Sequence, residues 1–483
     1  MTGIGRCALV VGLLLPSLAG ATPQQAAERT ARPNFVLVLV DDQGWTGTSV
    51  RMDPAIPESS SDYYRTPNLE RLAAAGMRFS SAYAPAPNCS PSRCSILTGM
   101  GPAHTGMTDL WNRKGERVNA PWIGGLNVNA IDPEAVTLPE CLKQIDPAYR
   151  TAHFGKWHLG SGGPAKHGFD VGDGLTSNVT GNARIADDPK RIFSVTERSV
   201  AFLQERAADG EPFFLQVSHY APHKGTEALA ETIARCAARP RGQRHDAPDY
   251  AAMIEDLDTG LGILLQALDD LDLAANTYVI YYSDNGAGHV AGVTNNLPLS
   301  SGKTSLREGG LRVPLVVRGP GIEAGTTSRT RVVGYDLYPT ICDLAGGGGA
   351  VPADLDGGSM KDLLLGGGTG AVRRSRDFLV FHFPHYQIAK GLVPESAIYR
   401  GPWKLTKHWP DGTRELYAID DDLSESNDLA EGSPGVAAEL DALLEAYLEG
   451  VHAPMPRPNP DWDAAQQATF DAAFGADEDA DDE

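Results

Sequence analysis

Residues 35–40 read Phe-Val-Leu-Val-Leu-Val without a polar break and end in Asp41-Asp42-Gln43-Gly44. A short, uninterrupted apolar run suits a strand covered on both faces, as in a parallel sheet, rather than one that alternates between core and water. The pattern recurs. Tyr278 to Tyr282 leads to Ser283-Asp284-Asn285-Gly286, and Phe213 to Val217 leads to His219 and His223. Amphipathic stretches lie between these runs. Thr66-Pro67 opens one, with Leu69, Leu72 and Ala73 on one face and Gly76 as a stop, and Tyr250 to Leu268 forms another. The alternation predicts an α/β domain with a mostly parallel central sheet flanked by helices, and it places polar chemistry at the strand ends.

The pattern changes after residue 364. Leu365 to Gly370 is glycine-rich, and Arg373-Arg374-Ser375-Arg376 follows, so a linker is expected there. Phe378 to Phe383, Ala397 to Lys407 and Glu415 to Ile419 read as antiparallel strands, and Val436 to Leu448 as a closing helix. Asp420-Asp421-Asp422 and Glu425-Ser426-Asn427 read equally well as a structured loop of this unit or as a solvated turn. The predicted organisation is a leader at 1–21, an α/β domain at 32–370, a smaller antiparallel unit at 371–460 and a disordered acidic tail at 461–483.

Arg6, the apolar stretch Cys7 to Leu18 and Ala19-Gly20-Ala21 make the leader a secretory signal, too short to span a membrane. Export to a periplasm or the medium is therefore expected, with no membrane anchor. The 483-residue chain carries a formal charge of -21, of which the nine acidic residues of 461–483 supply -9. The acidic balance argues against nucleic acid or anionic lipid as a partner. Five cysteines remain after the leader: Cys89, Cys94, Cys141, Cys236 and Cys342. Their spacings fit no zinc pattern and are too sparse for a disulfide scaffold. One bridge is compatible with the sequence, which does not choose it.

One segment stands out chemically: Cys89-Ser90-Pro91-Ser92-Arg93-Cys94-Ser95-Ile96-Leu97-Thr98-Gly99. It resembles the signature of the type I, formylglycine-dependent sulfatases of the alkaline phosphatase superfamily. The resemblance implies an α/β domain like that of alkaline phosphatase and a C-terminal unit with a short antiparallel sheet. It also implies that a formylglycine-generating enzyme oxidises Cys89 to an aldehyde, whose hydrate attacks the sulfur of a sulfate ester.

Asp41, Asp42, Asp284 and Asn285 follow two predicted strands, and four oxygen ligands favour a hard cation, Ca²⁺ or Mg²⁺. The resemblance makes these positions, with residue 89, a Ca²⁺ site. Gly155-Lys156-Trp157-His158-Leu159-Gly160 is similar to a second motif of the family. Read as extended chain, it turns Lys156 and His158 to one side. Arg93 lies one helical turn after Cys89 and so reaches the same site. Lys303, within Ser301 to Gly310, and His223, within Ala221-Pro222-His223, are similar to two further family segments. Lys224-Gly225 departs from the pattern, since many members carry proline near position 225, and this puts substrate fit in question. Trp157, Arg307, Arg312, His219 and Cys94 are expected to be structural.

The resemblance implies these roles. Arg93, Lys156, Lys303 and the cation hold the sulfate oxygens, and His223 protonates the departing alcohol. His158 takes a proton from the second hydroxyl so that sulfate leaves. The expected activity is hydrolysis of a sulfate ester, a carbohydrate one first. Alternatives are a phosphonate or phosphate ester hydrolase of the same superfamily, or an exported, non-catalytic glycan-binding protein on the same fold. Aromatic and polar residues at 381–386 suggest that His382 or His385 contacts the alcohol portion of the substrate.

Overall fold

The computed structural model describes residues 32–111, 120–288 and 294–473. In chain order the elements that matter are β1 (Asn34–Val40), α1 (Pro67–Ala74), β2 (Met77–Phe79), α2 (Cys89–Thr98), α3 (Leu138–Ile145), β3 (Arg150–Gly155) and β4 (Val171–Gly172). There follow α4 (Ile192–Asp209), β5 (Phe213–Ser218), α5 (Pro248–Asp270), β6 (Thr277–Ser283), β7 (Leu315–Arg318), β8 (Thr326–Ser328) and α6 (Leu337–Leu344). The C-terminal unit comprises β9 (Phe378–Phe383), β10 (Glu395–Arg400), β11 (Trp403–His408), β12 (Arg414–Ala418) and α7 (Pro434–Gly450).

The central sheet has eight strands in the order β8-β2-β7-β6-β1-β5-β3-β4. β1 pairs in parallel with both β5 and β6, and β3 pairs in parallel with β5, while β7 runs antiparallel to its neighbours. All seven residues of β1 are buried. Val36, Val38 and Val40 join one core with Leu215, Val279 and the helices α4 and α5. Phe35, Leu37 and Leu39 join the opposite core with Ile280, Cys94, Leu142 and Ile341. Helices cover both faces of the strand, so no position along it can afford polarity until the strand ends.

β9 to β12 form an antiparallel four-stranded sheet against which α7 packs, through Leu440 and Leu444 onto Ile398 and Leu405. The stretch from Ala397 to Lys407, expected as one strand, is a hairpin that turns at Gly401, where φ is +55°. Glycine tolerates that angle because it has no Cβ. The expected linker is pinned down by ion pairs: Arg374 to Asp336, Arg376 to Asp356 and Arg373 to Asp343. Its basic residues have carboxylates beneath them that composition alone does not reveal. Within the expected disordered tail, Gln467–Ala473 is helical, and Phe470 meets the rings of Tyr386 and Trp462 edge-on. The leader and residues 474–483 lie outside the described residues. Among the described residues no helix is long and apolar enough to cross a membrane.

Candidate active site

Strand register gathers the site. Val40 of β1 lies opposite Ser283 of β6, so Asp41-Asp42 and Asp284-Asn285 emerge side by side from adjacent parallel strands. Gly155 of β3 lies opposite Ser218 of β5, which brings out Lys156 beside the segment leading to His223. α2 begins at Cys89 and is buried along its whole length. It ends at Gly99, where φ is +72° and a Cβ would meet Leu355 at 2.9 Å and the Tyr338 ring at 3.3 Å.

Cys89 donates its thiol proton to Asp41 Oδ1 at 3.4 Å, with Asp42 Oδ1 at 3.8 Å. Ligand atoms of Asp41, Asp42, Cys89 and Asp284 all lie within 4.8 Å of one another. Each carboxylate also faces a cation. Lys156 Nζ donates to Asp41 Oδ2 at 2.5 Å, Lys303 Nζ to Asp42 Oδ2 at 3.0 Å, and Arg93 Nε to Asp284 Oδ2 at 2.8 Å. Arg93 also donates to the Lys156 carbonyl at 2.6 Å. These six side chains are buried. Three negative and three positive groups cancel, which lets an acidic protein keep a cationic set in its interior.

Asn285 donates Nδ2 to Asp42 Oδ1 at 2.7 Å, while its buried Oδ1 has no hydrogen-bond partner. An unpaired carbonyl oxygen beside three carboxylates suits a hard divalent cation. Such an ion would bring the site to a net +2, which suits an anionic ester and further charge developing on its oxygens.

Burial raises the Asp41 carboxyl, but Lys156, His223, Arg93 and Lys303 outweigh it and hold the group well below the usual carboxylate range. Asp284 goes the other way: burial pushes it up to about 6 against the pull of Arg93. Burial, then Lys156 and Arg93, drives His158 well below its ordinary value, so its ring is neutral and able to accept a proton. Burial and then Lys303 lower His223 to about 4. Its Nε2 lies 3.7 Å from Asp42 Oδ2. An anion arriving between Lys303 and His223 would reverse that balance and favour the imidazolium.

Lys156 and His158 do not alternate along an extended segment, contrary to the expectation from spacing. β3 ends at Gly155, and His158 adopts φ +58°. Ser90 donates to the His158 carbonyl at 2.8 Å and lies 3.4 Å from His158 Nδ1, which ties the turn to α2. Asp42 and Thr304 also hold positive φ, +64° and +74°. Each costs about 1 kcal/mol, and the surrounding packing sustains this strain at the residues that shape the site.

His382, expected near the alcohol, turns inward. It is buried in β9, with Nδ1 2.6 Å from Ser396 Oγ and Nε2 3.0 Å from the Pro454 carbonyl, so both ring nitrogens are occupied within the protein. His385 Nε2 lies 2.8 Å from Thr108 Oγ1. The next residue, Asp109, accepts a hydrogen bond from Asn88, the residue just before α2. Trp157 packs edge-on to His153 and stacks on His167, and Arg312 binds Glu308; both are structural, as expected. Arg307 pairs with Glu415 and Tyr417 at 2.6 and 2.7 Å. Cys94 is buried in α2, and His219 is buried with its ring nitrogen Nδ1 unpaired.

The C-terminal unit holds the Lys303 segment, which sequence reasoning missed. Lys404 donates to the Leu306 carbonyl at 2.7 Å and to Glu425 Oε1 at 2.6 Å. Glu395 accepts from the Leu306 amide at 2.9 Å, and Glu425 from the Glu308 amide at 2.8 Å. Lys390 reaches Thr304 Oγ1 at 3.1 Å. Glu425 is buried rather than part of a solvated turn. Its replacement by alanine leaves the Lys404 ammonium buried without this partner, and that geometry is expected to loosen the loop carrying Lys303. The expected result is a loss of about tenfold or more in kcat/KM, with Glu425→Gln retaining more activity than Glu425→Ala. Equal activity of Glu425→Ala and wild type in a steady-state assay would rule out this support.

Fold and site together define an α/β protein whose strand-end site, buried carboxylates and cations gathered around Cys89, suits an anionic ester. The sulfatase family model matches residues 33–347, and the model of the C-terminal domain of N-sulphoglucosamine sulphohydrolase matches residues 302–452. The chain belongs to the sulfatase family and is a sulfuric ester hydrolase. It is 28% identical to a sulfatase of Formosa agariphila over 92% of this chain and 94% of that one. It is 32% identical to the N-acetylgalactosamine-6-sulfatase of Canis lupus familiaris, covering 74% and 70% of the two chains. The crystal structure of Ps i-CgsB in complex with k-i-k-neocarrahexaose superposes with a TM-score of 0.71 at 24% identity, over 92% of this chain and 97% of that one, a likeness of fold.

Proposed function

We propose that this sulfatase removes sulfate from a carbohydrate outside the cytoplasm, using a formylglycine made from Cys89 by a formylglycine-generating enzyme and a bound Ca²⁺, with Mg²⁺ as the substitute. The observation that carries the reading is Cys89 at the start of a buried helix, 3.4 Å from Asp41, inside a ring of three carboxylates and three cations. Relatives that include an N-acetylgalactosamine-6-sulfatase support a sugar as the alcohol. The signal-like leader supports export.

Asp41, Asp42, Asp284, Asn285 and residue 89 would hold the cation, which supplies Lewis acidity toward a sulfate oxygen. A hydrated aldehyde at residue 89 supplies one hydroxyl for attack on sulfur and a second through which the sulfate is released. Lys156, Lys303 and Arg93 orient the anionic ester and stabilise charge on its oxygens in a dry interior. His223 Nε2 delivers a proton to the departing alcohol. His158, kept neutral by burial and by Lys156, accepts a proton through Nε2, the ring nitrogen that does not face Ser90. His385 is proposed as a rim residue near the alcohol.

A panel of defined sulfated sugars, assayed for inorganic sulfate and set beside matching phosphate esters, tests this reading. Release of sulfate from one sugar position with little phosphate release is expected. Faster phosphate turnover would replace the reading with a phosphate ester hydrolase. A proton donor matters most for a poor leaving group. His223→Ala is therefore expected to slow a sugar sulfate by about 100-fold or more and a nitrophenyl sulfate by less than about tenfold. Equal losses on both substrates would remove His223 from that role.

A further inference from the structure

We propose that Cys141 and Cys342 form a disulfide that ties α3 to α6 behind the nucleophile helix. Their sulfurs lie 3.2 Å apart, across 201 residues of sequence, and both side chains are buried. The bond needs the sulfurs to close to about 2.05 Å. None of the other described cysteines shares such a contact: Cys89 faces Asp41, and the Cys94 and Cys236 side chains lie in two different cores. The two helices already meet directly, and α6 and α3 both touch α2. Tyr338 of α6 donates to the Val136 carbonyl just before α3 and packs at Gly99, where α2 ends.

The chemistry is thiol–disulfide exchange with a disulfide-bearing oxidant, a small disulfide or a protein one. One thiolate attacks a donor sulfur and expels a donor thiolate, leaving a mixed disulfide. The second cysteine, deprotonated, attacks the protein sulfur of that mixed disulfide and expels the other donor thiolate. The pair loses two electrons and two protons, and the donor becomes two thiols. The Cys141 thiol is pulled down to about 7 by its hydrogen bond to Cys342, against burial, and so favours Cys141 as the first attacker. Once closed, the bond is sheltered. Cys141 Sγ faces the Ala350 carbonyl at 3.8 Å, and Gly347 in the preceding turn lies against Ile145 of the same helix α3. Closing a loop of this length removes much freedom from the unfolded chain and braces the rear of α2.

The proposal stands on sulfur geometry and not on the catalytic reading. Full-length protein, unfolded and reduced, is refolded with oxidised glutathione or with reduced glutathione alone, then alkylated, digested and weighed. The oxidised sample is expected to show two fewer alkylatable thiols and one linked peptide pair, Cys141 with Cys342, two hydrogens lighter than the reduced pair. It is expected to melt about 5 °C higher than the reduced sample. That difference should vanish in Cys141→Ser and in Cys342→Ser. Wild-type protein alone suffices if either variant fails to fold. Alkylation of both cysteines in the oxidised sample, a bridge to Cys94 or Cys236, or identical melting of the two forms would overturn the proposal.

Discussion

Cys89→Ala is expected to abolish sulfate-ester hydrolysis, by about 10⁴-fold or more, while thermal unfolding shifts little. The thiol is not a strut. Its partners are Asp41 Oδ1 at 3.4 Å and Asp42 Oδ1 at 3.8 Å, and Lys156 and Lys303 also hold those carboxylates. Nor is it a reactive thiolate, because burial raises its pKa well above the ordinary thiol value. A cysteine kept protonated among three carboxylates is a poor nucleophile as it stands, which supports its conversion to the aldehyde. Peptide mass spectrometry of active protein should show the aldehyde at residue 89. Cys89→Ser should also be largely inactive, since a serine hydroxyl offers no second geminal oxygen for release of sulfate. Full activity with an intact, alkylatable Cys89 would end the proposed mechanism.

Asp284→Ala is expected to cost at least about 100-fold in kcat/KM and to weaken binding of Ca²⁺ measured by calorimetry. It removes an oxygen of the candidate cation site and strands Arg93, whose guanidinium is buried and bonded to that carboxylate at 2.7 and 2.8 Å. A strong chelator should silence the wild type, and Ca²⁺ or Mg²⁺ should restore it. The pH dependence has a definite sign. Burial lifts Asp284 to about 6, so the cation must displace a proton below that value. Affinity should therefore fall as pH drops through about 6 and level off above it. Affinity unchanged between pH 5 and 7, or recovery with zinc alone, would contradict the assignment.

The core of this site was legible because its residues sit where apolar runs stop. Val40 and Ser283 end buried strands, and a polar residue directly after such a strand has few places to go except a ligand site. Arg93 was legible because helical spacing returns it to the side of Cys89, and α2 is indeed helical. His158 was read in the right place with the wrong backbone, since nothing in the alternation of types signals a left-handed residue. The surroundings of His382 were not legible, because an aromatic, polar strand looks alike whether its histidines face a sugar or Ser396 and Pro454. Glu425, Lys404 and Glu395 were illegible for a different reason. Charged residues in turn-rich sequence read as solvated, and only contacts between residues about 90 to 120 positions apart bury them.

Those same contacts bear on how members of this family exchange parts. Residues 302–347 fall within both family models, the catalytic one and the C-terminal one. Lys303 opens that shared stretch, and its backbone neighbours hang from side chains of β10, β11 and the Glu425 turn. A chimera that grafts a foreign C-terminal sheet at the glycine-rich junction near residue 366 would sever Lys303, the partner of Asp42, from its own scaffold. Recombination that moves the cut upstream of residue 300 keeps lysine and scaffold together, so the heritable module begins inside what looks like the catalytic domain.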